Sequence, residues 1–297
     1  MSMPAVSVIV PCHNGGEFLD GMLASLAAQT FHDFEIVIVN DGSTQPATLI
    51  KLASLPSTIR VVHQQNRYLP GARNTGFREA RADLVLPLDC DDRLEPTFLA
   101  ETVVALRDAP ADVGFVFAHM RLAGALEGVL ATSFNAFNQL FLNRLPYCML
   151  IRKSAWAAAN GYDETMRDGS EDWEFNIRLA RAGFRGHEIA KPLFCYTVRP
   201  DGMLLGKTAR MQGTVWRQIR TRHRELYKLS ALVANWRASG ANLPAAMRAA
   251  ALLTLVKIMP ESWYNAVFFR LVMMARARRV ASGQIRAVPF QGKEITP

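Results

Sequence analysis

A chain of 297 residues, half of them apolar, has material for one large core with an appendage. It has no run of about 18 uncharged apolar residues, so no spanning helix is expected, and its N-terminus lacks the basic-then-apolar pattern of an export signal. Residues 205–297 hold 16 Lys and Arg against 3 Asp and Glu, a net +13, which leaves −5 for residues 1–204 within an overall +8. A composition shift that sharp marks a boundary near Leu204 to Lys207 and divides the chain into residues 1–204 and 205–297. Cys12, Cys90, Cys148 and Cys195 are scattered without CxxC spacing, as for reduced thiols in a cytoplasmic protein.

In chain order, Ala5 to Val10 reads as a β-branched strand ended by Pro11, and Cys12 to Gly16 as a turn. Phe18, Met22, Leu23 and Leu26 then recur at helical spacing. Glu35 to Val39 is a second strand running into Asn40-Asp41-Gly42-Ser43. Ile59 to His63 is a third, with a helix through Gly71 to Ala80 after it. Leu84 to Leu88 is a fourth, stopping at Asp89, Asp91 and Asp92. Strands alternating with helices predict an α/β fold with a parallel sheet and right-handed crossovers. The strand ends Pro11–Asn14, Asp41–Ser43 and Asp89–Asp92 then share one edge, where a nucleotide crevice is expected.

On an extended backbone Asp89 and Asp91 point one way and Asp92 the other. Clustered hard oxygen ligands suit Mg²⁺ or Mn²⁺ with a substrate diphosphate, while the plainer alternative is a solvated turn capping the helix near Pro96. Asp41 can accept from a base or ribose, or merely close an Asx-turn. Arg73 can brace the carboxylates or the base, or be a solvated helix residue. No GxGxxG and no P-loop lysine motif occurs, which counts against a dinucleotide oxidoreductase or an NTPase. Glu171-Asp172-Trp173-Glu174 opens a helix. Its carboxylates are either helix-dipole partners or a general base, Glu171 or Asp172, with Trp173 as an apolar platform for an acceptor.

Val6-Ser7-Val8-Ile9-Val10-Pro11-Cys12-His13-Asn14, Asn40-Asp41-Gly42-Ser43, Ala72-Arg73-Asn74-Thr75-Gly76, Asp89-Cys90-Asp91-Asp92 and Glu171-Asp172-Trp173, in that order, resemble inverting family 2 glycosyltransferases of GT-A type fold. The resemblance covers roughly residues 5–203. It implies that Pro11, His13, Asn14 and Asp41 cradle the donor nucleoside, that Asp89 and Asp91 hold ribose and a Mn²⁺- or Mg²⁺-bound diphosphate, and that Asp172 is the base. It implies a nucleotide-sugar donor, a UDP-sugar first, and a saccharide or lipid-linked acceptor. Polysaccharide or lipopolysaccharide assembly follows by family analogy. Two positions depart from the family: Tyr68 stands where Gly is usual, and Arg199 where relatives often carry a histidine near the diphosphate. Arg199 could contact phosphate directly. A nucleotidyltransferase, or a nucleotide-sugar-binding module without turnover, is the alternative.

The tail reads as helices at Thr214 to Leu232, Leu243 to Met259 and Trp263 to Val280. In the last, Trp263, Val267, Phe268, Leu271, Val272 and Met274 are interspersed with Arg270, Arg276, Arg278 and Arg279. Such a helix can lie on an anionic membrane surface at the cytoplasmic face, or belong to a helical subdomain packed on the catalytic one, which would bury Phe268 and Leu271. No nucleic-acid module is visible.

Overall fold

A computed structural model describes residues 3–200, 202 and 211–288. The strands are β1 (Val6–Cys12), β2 (Phe34–Asp41), β3 (Ile59–Gln64), β4 (Leu84–Pro87), β5 (Arg93–Leu94), β6 (Val113–Gly124), β7 (Leu126–Leu130), β8 (Leu150–Arg152), β9 (Arg185–Val198) and β10 (Ile285–Ala287). The chain forms two compact units, one of residues 1–122, 129–132 and 145–197 and one of residues 123–128, 133–144 and 198–297. The boundary expected at Leu204–Lys207 falls on residues outside the described part.

In the first unit the sheet runs β6-β8-β4-β1-β2-β3, and β5 pairs with β9. The pairs β1–β2, β1–β4 and β2–β3 are parallel, while β8 is antiparallel to both its neighbours. This is the expected α/β architecture with a mainly parallel centre. All of β1 is buried, as an apolar β-branched run covered on both faces should be. It continues through Pro11 to Cys12 rather than stopping at Val10. Its ladder to β4 ends at Ile9–Pro87, so beyond that point the missing Pro11 N–H faces no strand on that side.

Register decides where the chemistry collects. Cys12 lies opposite Asn40, Asn40 opposite His63, and Ile9 opposite Pro87. The segments that follow β1, β2, β3 and β4 therefore leave the sheet along one edge. Helix Tyr68–Glu79 packs Gly76 against Ile9 of β1, where an added Cβ would stand 2.8 Å from the Ile9 side chain. Helix Leu19–Ala27 buries Leu19, Met22 and Leu26.

In the second unit the first tail helix is broken, not continuous as expected from Thr214 to Leu232. Helix Gln212–Arg222 gives way to a 3₁₀ turn, Arg224–Tyr227, before helix Leu229–Ser239. The cause is tertiary: the Trp216 indole N–H and the Tyr227 hydroxyl both donate to the Leu140 carbonyl, at 2.8 and 2.6 Å. Phe141, Tyr227 and Tyr264 ring the Trp216 indole. Helices Leu243–Ile258 and Glu261–Ala281 follow, and β10 pairs antiparallel with β7. Along Glu261–Ala281, Trp263, Ala266, Arg270, Leu271, Met274, Ala277 and Arg278 are exposed and fall on one stripe at helical spacing, while Tyr264 is buried. Leu271 is thus exposed, and the Phe268 side chain lies outside the described residues. Among the described residues no helix is long and apolar enough to cross a membrane.

Candidate active site

Asp41 closes β2 and is buried. Its Oδ1 accepts from Gln64 Nε2 at 2.6 Å and from the Arg67 amide at 2.8 Å, whereas its Oδ2 accepts from none of the described residues. His13 Nδ1 lies 2.8 Å from the Asp41 carbonyl, which assigns the ring proton to Nδ1. Asn14 is left-handed at φ 56°. Its side-chain oxygen accepts from the amides of Thr44 and Gln45 at 2.8 and 2.9 Å, and its own amide donates to Ser43 Oγ. Asn14 is therefore a clamp between the turns after β1 and β2. Pro11 is buried beside Val39. Gly42, at φ 69°, allows the close approach of the Asn66 amide, 2.7 Å from where a Cβ would stand.

The turn entering helix Tyr68–Glu79 is unusual. Tyr68 has φ 62°, a left-handed conformation that costs an aromatic residue on the order of 1–3 kcal/mol and a glycine little. Its ring is 46% exposed, with the Arg167 guanidinium over it at 4.8 Å.

Arg73, one turn further on, is almost wholly buried and organises the edge. Its Nη2 donates to both oxygens of Asp89, at 2.9 and 3.0 Å, and its Nη1 to Glu171 Oε1 at 2.5 Å. The Tyr147 ring lies 4.5 Å from its Cζ. Burial opposes the charge, but Asp89 and Glu171 hold the guanidinium pKa well above its ordinary value. Arg73 is thus a buried brace and not a solvated helix residue.

The acidic segment is a turn, not extended strand, because the Asp92 amide donates to the Asp89 carbonyl. Asp92 is turned into the interior, for a reason that pleating does not supply. It is 1% exposed, and its oxygens accept from the Tyr147 hydroxyl at 2.5 Å and the Thr197 amide at 2.6 Å. Burial first, then Asp91 and Asp89, push its pKa well above the carboxylate range. The Thr197 hydroxyl donates to the Asp91 carbonyl, which fixes the turn while leaving the Asp91 side chain half-buried. Cys90, between the carboxylates, packs against Gly15, where an added Cβ would stand 2.5 Å from its Sγ.

Among the described residues no group of three or more His, Cys, Asp or Glu forms a ready-made metal cage. The donors present are hard oxygens, one of them already shared with Arg73. That set fits Mg²⁺ or Mn²⁺, which take one or two carboxylates and leave the other positions to phosphate and water.

The last elements come from residues 160–181. Asn74 locks this turn by accepting from the Tyr162 amide and the Trp156 indole and donating to the Tyr162 carbonyl and Glu164. Helix Glu171–Arg181 follows Ser170, itself left-handed at φ 63°. Glu171 is 2% exposed and engaged by Arg73, so its carboxylate is committed to that ion pair. Burial, with Asp172 adding to it and Arg73 opposing, pushes its pKa up to about 7. Trp173 is 1% exposed, in the core, which corrects its reading as an acceptor platform. The helix turns its Trp173 face inward and leaves Asp172 half-buried. The Tyr196 hydroxyl is held above its ordinary pKa first by burial and then by Asp92, Asp89, Asp91 and Asp172. Arg199 falls in the second unit. Sequence reasoning missed Gln64, Tyr147 and Thr197, whose partners lie 23, 55 and 105 residues away, too distant for any local pattern.

Residues 7–154 match the model of Glycosyl transferase family 2. The chain is 41% identical over 92 residues to the uncharacterized glycosyltransferase EpsJ of Bacillus subtilis, a match covering 30% of this chain and 27% of that one. It spans less than a third of the length of the curated relatives it matches first. Its fold resembles that of S. aureus TarS 1–349, solved in complex with UDP-GlcNAc, at TM-score 0.58 and 18% identity over 97% of this chain and 95% of that one. The mannosyltransferase PcManGT from Pyrobaculum calidifontis, solved with GDP-Man and Mn²⁺, is similar at TM-score 0.53 and 17% identity, covering 96% of this chain and 89% of that one.

Proposed function

Because residues 7–154 belong to glycosyl transferase family 2, we propose that the chain transfers a sugar from a nucleotide-sugar donor, a UDP-sugar first, to a hydroxyl of a saccharide or lipid-linked acceptor, with inversion. The observation that carries this reading is the buried Arg73 bridge, which ties Asp89 of the acidic turn to Glu171, the neighbour of Asp172, beside an Asp41 whose Oδ2 accepts from none of the described residues. Asp41, with His13 and Asn14 holding its loop, receives the nucleoside. Arg73 keeps the Asp89 carboxylate in one orientation toward the ribose and diphosphate. A divalent cation held by Asp91, with Asp89 beside it, would offset the charge of the departing diphosphate. Asp172 takes the proton of the acceptor hydroxyl as that oxygen attacks the anomeric carbon from the face opposite the leaving group. The structures of TarS with UDP-GlcNAc and PcManGT with GDP-Man and Mn²⁺ support a nucleotide-sugar donor and a metal.

Incubation with a panel of nucleotide sugars, Mn²⁺ and mixed acceptors tests the reaction, with products read by mass spectrometry. The expected products are a nucleoside diphosphate and a glycoside of inverted configuration. Formation of a nucleoside triphosphate would favour the nucleotidyltransferase alternative. No diphosphate from any donor with a broad acceptor set would favour a binding module.

The exposed stripe of Trp263, Leu271 and Met274 with Arg270 and Arg278 supports a second element of the proposal, contact with an anionic membrane at the cytoplasmic face. Apolar side chains supply the short-range attraction. Each Arg adds ~1 kcal/mol near anionic lipid, within a Debye length of ~8 Å at physiological salt. Full-length protein that fails to float with anionic vesicles at low salt would end this reading and leave the reaction untouched.

A further inference from the structure

We propose that Tyr68, steadied by Arg167, is a donor contact particular to this chain, a rim on which the nucleobase of the bound nucleotide stacks; this rests on the glycosyltransferase reading. Three observations carry it. The first is that Tyr68 has no packing reason to be aromatic. It is 46% exposed, and among the described residues its ring partner is Arg167, 4.8 Å over one face. Yet it occupies φ 62°, where glycine is at ease and an aromatic side chain is not.

The second is where that strained residue stands. The preceding amide, that of Arg67, donates to Asp41 Oδ1, and the Tyr68 amide donates to Asn66 Oδ1 at 2.9 Å. The Asn66 side-chain amide lies against the His13 ring, 3.2 Å from Nδ1. Tyr68 therefore follows directly on a loop tied to both walls of the crevice assigned to the nucleoside. The Oδ2 of Asp41 is left for a ligand there.

The third is how firmly the turn is held. The Arg67 guanidinium pairs with Glu164 at 2.6 Å, and its stem crosses Gly71, where an added Cβ would stand 2.5 Å from Arg67 Cβ. Arg167 comes from the same stretch of chain as Glu164, the one leading to Asp172. The turn is thus fastened at Asp41 and at Glu164, and the ring is fixed by a cation on one face. A planar heterocycle is the ligand that an aromatic ring backed by a guanidinium accepts.

The experiment is equilibrium binding of UDP and GDP, with Mg²⁺, to wild type, Tyr68→Gly, Tyr68→Phe and Arg167→Ala, alongside thermal melts and donor kinetics. Stacking of one base predicts roughly tenfold weaker binding for Tyr68→Gly, near wild-type binding for Tyr68→Phe, and a smaller loss for Arg167→Ala. The Tyr68→Gly melting point should not fall, because glycine relaxes the left-handed turn. Its donor KM should rise while kcat at saturating donor holds. Wild-type and Tyr68→Gly proteins that bind UDP and GDP equally overturn the proposal and leave the glycosyltransferase reading standing, as does a Tyr68→Phe loss as large as that of Tyr68→Gly. A wild type that binds neither nucleotide overturns both.

Discussion

In the first unit Arg73, Asp92 and Glu171 are each at most 2% exposed, and each is held by partners drawn from other elements. In the second, Trp263 is 67% exposed and Met274 54%, on a helix whose Arg270 and Arg278 also face solvent. Burying charge is costly unless every group is paired and hydrogen-bonded, so the first arrangement marks a site prepared before any ligand arrives. Leaving large apolar side chains in water gains nothing for the fold, so the second marks a surface. The same chain thus places its charge in opposite ways, inward in a paired network and outward on an exposed stripe.

The sharpest way to break this contrast is at residues 171 and 172. Asp172→Asn should lower kcat by ~10² to 10⁴, with little change in melting temperature because its side chain is only half-buried. Glu171→Gln should do the reverse, giving a measurable fall in melting temperature and a smaller kinetic loss, because Arg73 keeps Asp89 but loses its second anion. Equal kinetic losses at the two positions would mean the base is misassigned.

Asp91 and Asp92 sharpen it next. Asp91→Asn should lose most metal-dependent turnover in an otherwise stable protein. Asp92→Asn should be milder in turnover and cost about 1–3 kcal/mol of stability in urea melts. A side-chain NH₂ would face either the Tyr147 hydroxyl or the Thr197 amide, leaving a buried donor without an acceptor. In the second unit, Trp263→Ser should weaken vesicle binding several-fold without moving the melting temperature. A lowered melting temperature there would reveal a structural role for that face.

The smallest effect concerns acid. Glu35 is buried, which raises its pKa, but the Ser7 hydroxyl and the Arg81 amide and guanidinium outweigh burial and leave it net lowered from 4.5. A carboxylate lowered on folding adds stability above its unfolded pKa and loses it as pH falls through the folded value. Urea midpoints measured from pH 6 down to pH 3 should fall less steeply for Glu35→Gln than for wild type. An unchanged slope would place the acid sensitivity elsewhere.

Much of the first unit was legible because strands and turns are local. The expected strands 5–10, 35–39, 59–63 and 84–88 each lie on an observed strand or overrun one by a single residue, and their ends share an edge. What could not be read was which way a polar residue faces. Glu171, Asp172 and Trp173 are consecutive, and only the packing of the helix decides that two point inward and the middle one does not. Asp92 is expected to point away from Asp89 and Asp91 on an extended backbone, and nothing local names Tyr147 and Thr197 as the partners that bury it. The tail helix looked continuous because its composition carries no breaker at His223, and two aromatic side chains reaching for one carbonyl broke it.

The pairing of Arg73 with Glu171 spans 98 residues of chain, and that of Asp92 with Thr197 spans 105. Contacts this distant close late, because loop entropy must be overcome before they give anything back. During synthesis the acidic turn leaves the ribosome long before the residues that hold it, so for that interval its carboxylates are solvated and its geometry unset. The acidic turn and helix Glu171–Arg181 therefore come into register late. On refolding, activity should return after the parallel strands have formed and in phase with the docking of helix Glu171–Arg181 on Arg73.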